Sequence, residues 1–290
     1  MDMYTNERYK RWVRQKIRNR IGAILIVLLL LTNTALLFVL VFDRPMCECL
    51  NENDYSEIDD IEEYDENQEE TSDGNEYYTS IPGRYAFLTF DDGPSAYTRS
   101  ILDVLAKSRA PAIFFVIGDS INNRSDSNYL LNRILEEGHY IGLHTMTHNH
   151  DILYVGEGAP QRFVDEMFEL NDLISEMILG GFSTNLCRAA FGMSGGTFTA
   201  EHHTAVDQAG LYCIDWNVDS QDWKLHTAYM IYQNVTRQIE SSSFPEELVI
   251  LFHEKAWTVE VLPSIIDYLR FHGYTITATI SGDSLTYRQY

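Results

Sequence analysis

Residues 85–95 read Tyr-Ala-Phe-Leu-Thr-Phe-Asp-Asp-Gly-Pro-Ser. Phe and Tyr suit a pleated, buried surface, whereas Gly93 and Pro94 cannot extend a strand. The stretch predicts a core strand over 85–90 that delivers Asp91 and Asp92 at its C-terminal mouth. Side chains alternate along a strand, so two neighbours converge only where the strand gives way, and the Gly-Pro pair supplies that break. Two adjacent carboxylates at the end of an apolar strand repel, and burying them is costly unless a cation joins them. Taken alone, the dipeptide has a plainer explanation as a cap on the following helix.

Downstream of residue 81, short apolar runs alternate with helical patterns. Strands are expected over 85–90, 112–117, 140–143, 186–189, 211–216, 248–252 and 274–278. Helices are expected over 98–107, 129–137, 161–179, 228–240 and 259–271. In the third of these, Phe163, Met167, Leu170, Ile174 and Ile178 keep helical spacing. Such alternation argues for an α/β fold with a parallel sheet. Seven strands fit a distorted or incomplete (β/α) barrel, in which reactive groups gather at the strands' C-terminal ends.

The polar residues at those ends are of one kind. After 140–143 comes His144-Thr-Met-Thr-His148, two histidines spaced to share one metal ion. Arg188-Ala-Ala-Phe191-Gly192 follows Cys187, Asp219-Ser-Gln-Asp222-Trp223 follows the fifth run, and Leu251-Phe-His253 closes the sixth. Singly, each has an ordinary reading: a surface ion pair, a satisfied histidine, a packed tryptophan. Five successive strands ending this way make those readings jointly improbable.

Together with Thr89-Phe90-Asp91-Asp92-Gly93, these segments resemble the five ordered motifs of the NodB-homology polysaccharide deacetylases, a family of metal-dependent carbohydrate esterases. The resemblance covers 81–290. It implies Asp92, His144 and His148 as metal ligands, Asp91 as general base, and Arg188 as the cation that keeps Asp91 ionised. It further implies His253 as general acid oriented by Asp222, the Phe191 N–H as an oxyanion donor, and Leu251 and Trp223 as walls for an acetyl methyl group. An Asp-His-His donor set suits one divalent transition metal, Zn²⁺ first, with Co²⁺, Ni²⁺ or Mn²⁺ as alternatives. The third motif departs from the family's Arg-x-Pro-Tyr, since Ala190 and Phe191 replace Pro and Tyr. A backbone donor survives the change to Phe, but a loop that proline would pre-set is loosened.

The implied reaction is removal of N-acetyl groups from a cell-surface polysaccharide, with N-acetylglucosamine of peptidoglycan first. An O-acetyl sugar esterase and a non-catalytic surface protein binding glycan or a partner stay open as alternatives.

Upstream of residue 81 the chain reads differently. Residues 1–20 carry seven Lys and Arg and form a basic cytoplasmic tail; residues 21–42 contain no charge. At about 1.5 Å per residue the apolar stretch spans a hydrocarbon core of ~30 Å. Phe42-Asp43-Arg44-Pro45 offers no small-x-small cleavage site, so a transmembrane signal anchor is expected, with the C-terminal part extracellular. Residues 43–80 should form an acidic, disordered tether; 51–80 holds thirteen Asp and Glu and no Lys or Arg. That segment accounts for more than half of the net charge of −22. Past the first twenty residues nothing forms a basic face, so nucleic-acid binding is excluded. No protein partner is evident. Cys187 and Cys213 could form a disulfide or remain buried thiols, which spacing alone does not decide.

Overall fold

The computed structural model describes residues 83–178 and 180–278. The expected tail, anchor and tether lie outside the described residues. Among the described residues no helix is long and apolar enough to cross a membrane.

Eight strands form one sheet whose pairings are all parallel: β1 (Tyr85–Gly93), β2 (Ile113–Val116), β3 (Tyr140–Leu143), β4 (Leu186–Cys187), β5 (Tyr212–Cys213), β6 (Val218–Asp219), β7 (Glu247–His253) and β8 (Thr275–Ile276). Seven follow the path β5-β4-β3-β2-β1-β7-β6, and β8 pairs with the start of β1. Consecutive in sequence, β5 and β6 end the path at opposite sides, which leaves a parallel half-barrel. The helices are α1 (Thr98–Ser108), α2 (Gly118–Asn122), α3 (Ser127–Glu136), α4 (His150–Tyr154), α5 (Ala159–Met177), α6 (Ala200–Gln208), α7 (Ala228–Ser241) and α8 (Ala256–Phe271).

Two corrections concern the strands. The run 211–216, expected as one strand, contributes only the two residues of β5 to the sheet, and β6 begins beyond it, because residues 214–217 carry the chain across the open side. The first strand does not stop at Phe90 but continues through both aspartates to Gly93. α2, α4 and α6 were not expected; α2 and α4 are single short turns of five residues, too brief to show a periodicity.

The alternation of β1 sorts its side chains between two clusters. Ala86, Leu88 and Phe90 pack with Phe114, Leu248, Ile250, Phe252 and the helices' apolar faces. Phe87 packs on the other face with Ile113, Phe115, Leu186, Ile214 and Val249. Odd-numbered residues of β1 and β7 therefore line the inner face, and the last of them are Asp91 and His253. Cys187 and Cys213 stand opposite each other in the β4–β5 register, both as buried free thiols.

Candidate active site

The two aspartates converge through a bulge. Asp91 pairs with Phe115 and Gly93 with Val116, so Asp92 is the extra residue, and its φ is +70°. In a regular strand Asp92 would face the helix layer; the bulge re-aims it. The convergence expected from a Gly-Pro break is thus achieved one residue earlier, inside the strand.

Asp91 is buried beside a fully buried Arg188. The Arg188 Nη1 donates to Asp91 Oδ1 at 2.9 Å and to Thr89 Oγ1 at 2.7 Å. The guanidinium stacks on Phe115, 4.2 Å from the ring centre, which makes its burial tolerable. With Oδ1 occupied, Asp91 turns Oδ2 towards His144 Nε2, 3.7 Å away.

Asp92 Oδ1 lies 3.6 Å from His144 Nε2 and 3.5 Å from His148 Nε2. Ligand atoms of these three residues all fall within 4.8 Å of one another. Asp92 Oδ1 is buried without a hydrogen-bond partner, an orphaned acceptor of the kind a cation satisfies. His144 Nδ1 sits 2.9 Å from the Arg188 carbonyl. That oxygen only accepts, so Nδ1 carries the proton and Nε2 presents its lone pair to the cluster. Burial of Asp92 is outweighed by the attraction of His144, His253 and His148, which holds its carboxyl below the usual range. Burial, and then the neighbouring His144, push His148 down, favouring the neutral ring that a metal needs.

The histidine pair lies on a loop rather than a helix, with Thr145 at φ +68° and His148 at φ +49°. Glu166, on α5, grips it: Oε2 accepts from the Met146 and Thr147 N–H groups at 3.0 Å each, and Oε1 from the Thr147 hydroxyl at 2.8 Å.

His253 faces the cluster from the other side. It is the register partner of Asp91 across β1 and β7, and its Nε2 is 3.9 Å from Asp92 Oδ2. Its Nδ1 donates to Asp222 Oδ1 at 2.7 Å; Asp222 Oδ2 accepts from the His253 N–H at 2.7 Å and from Thr258 Oγ1 at 2.6 Å. Burial alone would lower the His253 pKa, but Asp222, with Asp91 and Asp92 behind it, raises it above 6.5.

Phe191 packs at a tilt against His148, with ring centres 4.4 Å apart and an interplanar angle of 58°, and is 51% exposed. Leu251 is buried on the inner face, in register with Thr89, whereas Trp223 is 56% exposed at the rim.

With this geometry in place, comparison with known proteins is direct. The polysaccharide deacetylase family model matches residues 79–214. A peptidoglycan-N-acetylglucosamine deacetylase of Bacillus cereus is 35% identical over 202 residues, 67% of this chain and 69% of that protein. The chain belongs to the polysaccharide deacetylase family. A solved family structure, a polysaccharide deacetylase from Bacillus cereus, superposes with a TM-score of 0.60 at 32% identity, covering 69% of this chain and 94% of that one. A family 4 carbohydrate esterase from Streptomyces lividans, solved in complex with acetate, gives 0.54 at 28% identity, covering 66% and 90%. The chain spans about two thirds of the curated relatives it matches, 64% in the case of a Bacillus subtilis (strain 168) protein.

Several residues of this family member were not legible in the sequence. Glu166 and Thr258 lie on helices, one or more elements away from the groups they hold. Glu254 is buried beneath the bulge, where it accepts from the Ser95 N–H at 2.8 Å and from the Thr98 hydroxyl. Burial pushes its carboxyl up, and a Cβ on Gly93 would come within 2.2 Å of its Oε1, so a larger residue there would displace the Glu254 carboxyl. Asp215 and Tyr154 brace the loop around Phe191. No spacing marks any of these, because their partners are distant in the chain.

Proposed function

We propose that the chain is a metal-dependent deacetylase removing N-acetyl groups from cell-surface polysaccharide, with N-acetylglucosamine units of peptidoglycan as first substrate. The observation that carries this reading is the disposition of Asp91 and His253, a carboxylate and an imidazole flanking one Asp-His-His cluster. A binding module has no use for such an arrangement.

Asp92, His144 and His148 would hold the divalent ion, with Zn²⁺ first and Co²⁺, Ni²⁺ or Mn²⁺ behind it. When bound, the ion supplies a Lewis acid that polarises the acetyl carbonyl and acidifies water. Asp91 Oδ2 accepts the proton of the attacking water, while Arg188 holds Oδ1 and so aims Oδ2 at the cluster. The Phe191 N–H donates to the oxygen on which negative charge develops. His253 Nε2 delivers a proton to the departing nitrogen, since an amine leaves only when protonated. Asp222 holds the ring so that Nδ1–H points away and Nε2 towards the substrate. Leu251 and Trp223 are assigned to the acetyl group, as floor and rim. The products are acetate and a free amine on the sugar.

Location follows from the sequence. Residues 21–42 would anchor the chain in a membrane with its N-terminus cytoplasmic, and residues 43–80 would tether the deacetylase domain (81–290) outside, in reach of the wall. Acetate release from N-acetylglucosamine oligomers and from peptidoglycan, with and without a chelator, tests the activity. Release abolished by chelator and restored by Zn²⁺ is expected. Release from O-acetylated sugars alone would move the assignment to the esterase reading, and no release from any substrate would leave a binding protein.

A further inference from the structure

Phe191 occupies φ +66°, a conformation that a bulky side chain adopts only when its surroundings impose it. Three contacts do so. Tyr154, on α4, donates its hydroxyl to the Ala190 carbonyl at 2.7 Å. Asp215 Oδ2, from the crossing between β5 and β6, accepts the Met193 N–H at 3.1 Å. Gly192 rests on the Trp216 indole, where a Cβ would approach to 2.6 Å. A turn from the Gly192 N–H to the Ala189 carbonyl, 3.0 Å, closes the loop. The two side-chain bonds therefore bracket residue 191, one before and one after it. They also tie it to neighbouring parts of the site. α4 begins directly after the His144–His148 loop, and the Asp215 carbonyl accepts from Arg188 Nη2 at 3.4 Å.

We infer that Asp215 and Tyr154 are positioning residues that fix the Phe191 peptide by hydrogen bonding, in place of the ring closure that a proline at position 190 would provide. This rests on the proposed role of the Phe191 N–H as oxyanion donor. Such a donor works only within about 2.7–3.1 Å of the developing charge, so a loop free to shift by an ångström forfeits much of its effect. Burial pushes the Tyr154 phenol above its ordinary range, so the hydroxyl keeps its proton and remains a donor.

The test uses the full chain, with acetate release and bound metal measured together. Tyr154→Phe and Asp215→Ala should each lower kcat by about 10-fold, up to the ~10² at which loss of one oxyanion donor begins. KM and metal content should remain at wild-type levels. Asp215→Asn keeps an oxygen to accept the Met193 N–H and should stay close to wild type. Ala190→Pro placed in the Asp215→Ala background should recover most of the lost turnover, because it restores pre-organisation by another route. A kcat unchanged in both Tyr154→Phe and Asp215→Ala overturns the inference, as does a loss that tracks metal content or that Ala190→Pro fails to relieve. A wild-type chain without deacetylase activity would instead sink the functional reading on which the inference stands.

Discussion

Asp91 and Asp92 are neighbours of one residue type, yet they occupy opposite environments. Asp91 is sealed inside the half-barrel, with one oxygen committed to a fully buried Arg188. Asp92 sits on a bulge at positive φ, its side chain 36% exposed and ringed by three histidines. The first is a carboxylate whose charge is already balanced by the protein. The second has an oxygen that no protein group satisfies. The division between base and ligand is thus set by one backbone irregularity and one arginine, not by the chemistry of the side chain.

The largest expected effect lies on the Asp92 side. Asp92→Ala should abolish bound metal and acetate release together, as should His144→Ala and His148→Ala, since each removes a ligand. Metal analysis beside turnover is the measurement. Asp91→Ala should separate the two readouts: metal stays near wild type while turnover falls by roughly 10²–10⁴. Equal metal loss in Asp91→Ala and Asp92→Ala would break the comparison.

Arg188→Met sharpens it from the buried side. It leaves the buried Asp91 carboxylate without its cation, a change that costs about 3–5 kcal/mol of folding stability. Denaturant unfolding should detect this, while an exposed partner would show almost nothing.

Next comes the acid. Because Asp222 raises the His253 pKa, the imidazolium persists above the ordinary 6.5, and the alkaline limb of the rate profile should lie above that value. Asp222→Asn removes the charge responsible, so the limb should move to lower pH. The same sign governs stability. The contribution of the His253–Asp222 pair is complete below pH 6.5 and is lost as pH rises through the raised folded value. A limb left in place by Asp222→Asn would mean that another group titrates there.

The smallest effect in turnover is expected at Glu166. Glu166→Ala frees the loop that carries His144 and His148 and should weaken metal affinity about 10–100-fold. With metal in excess, turnover should return close to wild type. A persistent defect would place Glu166 in contact with the reaction rather than behind the loop.

The strands other than β6, and the helices of ten residues or more, were legible because a buried element has to show its apolar periodicity; α5 is displaced by only two residues from its expected span. α6 escaped because its nine residues, Ala-Glu-His-His-Thr-Ala-Val-Asp-Gln, bury only His202 and Val206. The break between β5 and β6 escaped for the opposite reason: residues 211–216 are as apolar as a strand, yet where a half-barrel opens is a matter of closure that no local run encodes.

What the sequence by itself determined is the chemical inventory and its order: the carboxylate pair, two histidines four apart, an arginine, an Asp-Trp pair and a final histidine, each at the end of a strand. Parallel strands with helical crossovers carry such ends to one rim, so the order sufficed to bring them together. The tertiary structure alone decided which oxygen faces what. It made His253 the register partner of Asp91, turned Asp92 inward through the bulge, committed Asp91 Oδ1 to Arg188, and set Asp215 and Tyr154 on either side of Phe191. The physical reason is range. Periodicity and turn chemistry act over a few residues, whereas these contacts join groups 22 to 97 positions apart or depend on register between strands whose pairing only the assembled sheet defines.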